Sequence, residues 1–290
     1  MGEREERLLQ AYRTGAPTRR DFIAEAIAIA GSFAAAAPLL EAAGVGTATA
    51  AQVDPQAPDL ASGMVQYPGA TGAVSAYQSR PKAPGRQPGV VVIHENRGLT
   101  AHIQDVARRL ARAGYHALAP DLLSRRGGTQ AYPTPEATID AIRGLSNADV
   151  QADLLAALAW LQKADAVRSD RLGVMGFCWG GAQSLLLGTG SRDLRAVVVF
   201  YGRNPSPLDL VQNMTAPLLA IYGEDDPSIM PGVAPLEAAL KQSGKVYEIK
   251  IYPGAKHAFH NDTNPERYNA EAARDAWERV LAFYRRHLIG

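Results

Sequence analysis

Six short apolar, β-branched runs alternate with longer stretches of helical spacing, and this rhythm constrains the chain more than anything else in it. The runs fall at residues 89–94, 115–119, 171–176, 195–201, 217–223 and 246–252. Most are apolar at consecutive rather than alternate positions, as a strand covered on both faces must be. Between them, apolar residues three and four apart predict helices over 103–113 and 150–164, and a long amphipathic helix over 266–288 closes the chain. The alternation predicts an α/β fold with a mostly parallel central sheet and helices on both faces. In such sheets ligands sit beyond the carboxyl ends of the strands, so the chemistry is to be sought in the turns that follow them.

The most specific of these turns follows residues 171–176. It reads Gly176-Phe177-Cys178-Trp179-Gly180-Gly181 and leads into a helical pattern from Ala182. This is the spacing of a nucleophile elbow, with Cys where Ser is commoner; the glycines let strand and helix approach closely enough to hold the strained turn. On residue type alone Cys178, the chain's one cysteine, would be a small buried hydrophobe. The strand before it and the glycines around it argue for a nucleophile, and a helix N-terminus favours its thiolate. The N–H of Trp179 then becomes one oxyanion donor, and Asn96, in the turn after residues 89–94, offers the second. Glu95 beside it puts an ionisable group next to that hole.

A thiol nucleophile needs a base and an acid to orient the base, which follow it in the order acid, then histidine. Glu224-Asp225-Asp226-Pro227 follows one strand and Pro253-Gly254-Ala255-Lys256-His257 the next. His257 sits directly after the Gly-Ala turn and is favoured over His260. Asp225 and Asp226 are adjacent, so their side chains diverge and only one can face the histidine; the other would serve the turn.

These stretches, with Pro120-Asp121-Leu122-Leu123-Ser124-Arg125 and Tyr252-Pro253-Gly254-Ala255-Lys256-His257-Ala258-Phe259, resemble the dienelactone hydrolase (carboxymethylenebutenolidase) family of α/β-hydrolases over roughly residues 65–288. The resemblance implies a triad of Cys178, Asp226 and His257, with Glu95 acting on the resting thiol. It further implies hydrolysis of a lactone or carboxylic ester through a thioester, without cofactor or metal. Arg125 matches one of two family arginines that hold a substrate carboxylate. Asn261 stands where the second would be, and Ala258 replaces a hydroxyl residue. Losing one arm of such a clamp removes on the order of 1.5–3 kcal/mol of carboxylate binding. Broad carboxylesterase action on neutral esters is therefore an alternative, and a catalytically silent exported binding module is another. A metal site on His257, His260 and Asp262 lacks any further ligand cluster.

Charge narrows the partners: 30 Lys and Arg nearly cancel 29 Asp and Glu, so no field of one sign draws nucleic acid. A small-molecule ester or lactone is the expected partner. Residues 1–52 differ from the rest. Thr18-Arg19-Arg20-Asp21-Phe22-Ile23, an alanine-rich apolar run and the small-residue end Ala48-Thr49-Ala50-Ala51 resemble a twin-arginine export signal, which implies a periplasmic or exported protein. Glu25 and Glu41 interrupt the run, and the alternative is a structural N-terminal helix on a cytoplasmic protein. No integral membrane span is expected, since Gly31, Pro38 and the glutamates break the ~20 apolar residues that spanning needs. Residues 53–72, rich in Pro, Gly and polar residues, are expected to link this segment to a catalytic domain over 73–290.

Overall fold

The computed structural model describes residues 2–30, 36, 39, 40, 42, 43 and 51–290. Its strands are β1 (Leu60–Pro68), β2 (Ala73–Pro81), β3 (Gln87–Ile93), β4 (His116–Pro120), β5 (Val167–Phe177), β6 (Leu194–Phe200), β7 (Leu218–Asp225) and β8 (Tyr247–Lys256). They form one sheet in the order β1-β2-β4-β3-β5-β6-β7-β8. β2 runs antiparallel to β1 and β4, and every other pairing is parallel. This is the α/β-hydrolase arrangement, and the six predicted strands are β3 to β8.

The antiparallel edge differs from expectation, because the stretch 53–72 carries β1 and is not a linker. As an edge strand β1 buries mainly Leu60 and Tyr67, and its remaining residues are at least partly exposed. Such a strand lacks the unbroken apolar run of its neighbours, and Gly63 and Pro68 disguise it further. Just before it, Val53 and Ala57 are buried with Leu60 against Ala111.

Side chains alternate across each strand, so each central strand feeds two cores. Val91, Ile93, Val174, Val197, Val199 and Leu218 face one side. There they meet α5 (Asn147–Lys163), α6 (Trp179–Gly190) and α7 (Val233–Gln242). Val90, Val92, Met175, Phe177, Val198, Phe200 and Ile221 face the other, against α3 (Ala101–Arg112) and α8 (Ala270–Tyr284). Each fully buried Val, Leu or Ile contributes about 1.5–3 kcal/mol, which anchors the strands from both faces. α8 starts later than the periodicity suggests, capped by Asn269 Oδ1 accepting from Ala272 N–H at 3.1 Å, because residues 257–269 are given over to turns.

The N-terminal segment is helical in α1 (Glu3–Arg13) and α2 (Arg19–Ala30), which bury Leu8, Leu9, Phe22 and Ala26 together. No helix among the described residues is long and apolar enough to cross a membrane. The Arg19 and Arg20 side chains, Glu41 and the step Ala48-Thr49-Ala50 lie outside the described residues.

Candidate active site

The turns after β3, β5, β7 and β8 meet at one cleft. At the end of β5, Cys178 adopts φ 56° and ψ −117° as the residue capping α6. A non-glycine residue there stores about 1–3 kcal/mol of strain and persists only where its surroundings enforce it. They do so here: Cys178 N–H donates to Phe200 O at 3.0 Å, and a Cβ on Gly176 would lie 2.0 Å from Gly180 O. A Cβ on Gly180 would lie 2.3 Å from His94 O, so this glycine also lets the β3 turn close over the elbow.

The backbone N–H groups of Trp179 and Asn96 both act on Sγ of Cys178 and favour its thiolate. Burial, followed by the Glu95 carboxylate, outweighs them and pushes the thiol up to about 11. The helix N-terminus therefore does not suffice to ionise Cys178 at rest, contrary to the simplest expectation from the sequence. Glu95 is 6% exposed and is no solvated loop charge. Its Oε2 accepts from Asn261 Nδ2 at 2.7 Å, and its Oε1 has no close hydrogen-bond partner among the described residues. Asn261 in turn accepts at Oδ1 from the Thr263 N–H and hydroxyl, at 3.0 and 2.7 Å. Where the resemblance would put a second arginine, this chain holds Glu95 with a neutral amide.

His94 locks the same turn. Its Nε2 accepts the Leu122 N–H at 3.2 Å, so its Nδ1 carries the proton and donates to Glu95 O at 2.7 Å. Burial lowers its pKa and keeps the ring neutral, stacked 5.5 Å from the Trp179 ring.

After β7 the two aspartates do diverge. Asp225 is exposed and lies beside Lys256 in the sheet, whereas Asp226 is 2% exposed. Asp226 Oδ1 accepts from the Ser228 N–H and hydroxyl, at 3.1 and 2.7 Å, which leaves Oδ2 to hydrogen-bond Nδ1 of His257. Nε2 of His257 is then the ring nitrogen left for chemistry. His260 is buried against the Phe177 and Phe200 rings, 5.3 and 5.0 Å away. Burial, then the nearby His102 and Arg109, hold it neutral. Asp262 binds His102 and Arg109, and no group of three or more His, Cys, Asp or Glu among the described residues could hold a metal ion.

Two cavities share Asn96, Ile139, Cys178 and His257. One, of about 280 Å³, is walled by Ile142, Trp179, Ala182, Tyr201 and Ile229, with Arg143 and Arg203 also on its lining. The other, of about 600 Å³, is more polar and includes Glu95, Arg97, Asn264 and Arg267. Ile139, Ile142 and Arg143 belong to α4 (Pro135–Arg143), started by Pro135 and by Thr134 Oγ1 accepting from Ala137 N–H at 3.2 Å. Sequence reasoning missed these residues, as well as Tyr201 and Ser228. Only Ser228, two after the aspartate in an Asp-Pro-Ser turn, carried a local signal.

Arg125 is not on the lining of either cavity. Its guanidinium forms a fork with Asp153 of α5, at 2.8 and 2.6 Å, tying the turn after β4 to that helix. The Tyr67 hydroxyl donates to Asp153 O at 3.0 Å, so the edge sheet is tied to the same point. The sequence expected a substrate contact here, but a partner 28 positions on was not visible to it.

A model of the dienelactone hydrolase family matches residues 74–288. A Methylorubrum extorquens protein assigned by name as a carboxymethylenebutenolidase is 34% identical over 239 residues, covering 79% of this chain and 82% of its own. A Bradyrhizobium protein assigned by name as a 2-oxo-3-(5-oxofuran-2-ylidene)propanoate lactonase is 38% identical over 226 residues, covering 74% of this chain and 90% of its own. Among solved structures, one from Klebsiella pneumoniae assigned by name as a dienelactone hydrolase aligns with a TM-score of 0.73 at 34% identity, covering 78% of this chain and 98% of its own.

Proposed function

The chain belongs to the dienelactone hydrolase family and is an ester or lactone hydrolase, and from that premise we propose that Cys178, His257 and Asp226 cleave the substrate through a thioester. The observation that carries this reading is the conjunction at one cleft of the elbow cysteine, two N–H groups acting on its sulfur, and a histidine held by a buried aspartate.

A thiol pushed up to about 11 is protonated at neutral pH, so it must lose its proton as it reacts. His257 Nε2 takes that proton while Sγ bonds to the carbonyl carbon. The carbonyl oxygen gains the negative charge and accepts from the N–H groups of Trp179 and Asn96. Collapse breaks the C–O bond, and the leaving alkoxide or enolate recovers the proton from His257. Water then adds to the thioester as His257 takes its proton, and Cys178 leaves as thiol. Asp226 fixes the histidine tautomer and stabilises the imidazolium. Glu95 keeps the resting thiol neutral until substrate arrives.

The substrate is a compact lactone or ester whose acyl portion suits the smaller, apolar cavity. Engagement of Arg125 by Asp153, and of Asn261 by Glu95, favours a second reading within the same chemistry, a broad carboxylesterase on neutral esters. Turnover of p-nitrophenyl esters against an anionic lactone of similar size separates the two. Loss of all turnover in Cys178→Ala supports the mechanism, and retention of wild-type turnover refutes it. We also propose that the N-terminal segment is a twin-arginine-type export signal; the intact mass of the protein from a periplasmic fraction tests it.

A further inference from the structure

Behind the histidine loop lies a buried polar cluster that the proposed chemistry does not use. Asp262 Oδ1 faces His102 Nδ1 at 3.0 Å, and its Oδ2 accepts from Arg109 Nη2 at 2.5 Å. Arg109 Nε donates onward to Asp105 at 2.6 Å. Asp105, His102 and Asp262 are each 2% exposed. Burial opposes the Asp262 charge, but the His102 hydrogen bond and the Arg109 charge outweigh it and hold the carboxyl well below its ordinary range.

The chain ahead of β1 enters this cluster. The Gln52 and Val53 N–H groups donate to the two oxygens of Asp105, at 3.2 and 3.0 Å, and Val53 O accepts from Arg108 Nε at 2.8 Å. The Gln52 side-chain amide spans to Asp262 Oδ2 at 2.8 Å, a contact across 210 positions of sequence. Asp262 directly follows Asn261, whose amide holds Glu95 next to the Cys178 thiol. One continuous path therefore runs from Gln52 through Asp262 and Asn261 to Glu95.

We propose that Gln52 is a positioning residue: with Val53 it straps the start of the catalytic domain onto Asp262 and so holds the His257–Asn261 loop in register with the nucleophile. A neutral donor suits the place. Arg109 already balances Asp262, so Gln52 adds a hydrogen bond without adding charge. A cut between Ala50 and Ala51 would leave both strap residues on the domain, which would then begin at its own clasp.

The strap rests on the Cys178 reading, and the test separates their failures. In the full chain, Gln52→Ala lowers kcat on a p-nitrophenyl ester about threefold to tenfold, while KM stays within twofold and the melting temperature changes little. Val53→Pro, which removes one N–H from Asp105 but keeps an apolar side chain, has the same signature. Gln52→Glu sets two carboxylates together and is worse than Gln52→Ala; adding Asp262→Asn to it reverses donor and acceptor and recovers part of the loss. Should Val53→Pro fail to fold, the Gln52 variants alone decide. Wild-type kcat in Gln52→Ala, or a fall in melting temperature with no change in kcat, overturns the strap. If Cys178→Ala is itself fully active, the triad reading has failed instead.

Discussion

Replacing Glu95 with Gln removes the charge that opposes ionisation of Cys178 while keeping an oxygen for Asn261 to donate to. Burial is the largest cause of the raised thiol pKa and Glu95 is the next, so less than half of the upward push disappears. A drop that gives ~10-fold more thiolate at neutral pH corresponds to ~1.4 kcal/mol. A less basic thiolate is also a weaker nucleophile, by about threefold for such a change. Iodoacetamide should therefore alkylate Glu95→Gln roughly threefold faster than wild type at pH 7, and the two rates should meet below pH 11 and then cross, the more basic wild-type thiolate becoming the faster once both are ionised. The chain has one cysteine, so intact mass follows the reaction without a second thiol, and peptide mass separates Cys178 from slower lysine or histidine alkylation at high pH. An unchanged or slower rate in the variant would mean that Glu95 does not raise the thiol pKa, and the role given to it would fall.

Three further outcomes are expected. In Asp226→Asn, Ser228 still satisfies Oδ1, so the new amide nitrogen faces His257 and selects the wrong tautomer; kcat should drop about 10³–10⁴-fold in steady-state assays, and a loss under tenfold contradicts the assignment. Arg125→Ala should cost roughly 2–3 kcal/mol in urea unfolding, because it strips a buried carboxylate of its fork, yet leave kcat and KM on a neutral ester within twofold; a large rise in KM would return Arg125 to the substrate. His116 is buried with no hydrogen-bond partner for either ring nitrogen among the described residues, and burial, then Arg80, push it down to about 4. The unfolded chain takes up this proton near pH 6.5, so stability should decline from about pH 6.5 to about pH 4, by up to ~3 kcal/mol for this site; a slope as steep in His116→Phe would contradict that share.

The sheet core and the elbow were legible because each depends on short-range sequence. Unbroken apolar runs announced β3 to β8, and glycines two before and two after Cys178 announced the turn that Gly176 and Gly180 prove to require. β1 was hidden because an edge strand follows a half-polar pattern that a Pro- and Gly-rich connection shares. For Arg125, motif position says where an arginine starts, but Asp153 on a distant helix decides where its guanidinium rests in this structure. The helix N-terminus favours the Cys178 thiolate, but burial and Glu95 outweigh it, and both depend on how separate turns pack. Tyr201, with φ 39° after β6, and the α4 side chains over the cleft are equally products of tertiary placement.

Capture of the acyl-enzyme tests the chemistry most directly. If Cys178 is acylated, His257→Ala should slow formation as well as release of the thioester, so incubating that variant for hours with excess activated p-nitrophenyl ester, quenching in acid and measuring intact and peptide mass should reveal one acyl group on the peptide containing Cys178, and none after Cys178→Ala. An acyl group on any other residue, or p-nitrophenol release by the Cys178→Ala enzyme at the wild-type rate, would contradict a cysteine nucleophile in this cleft.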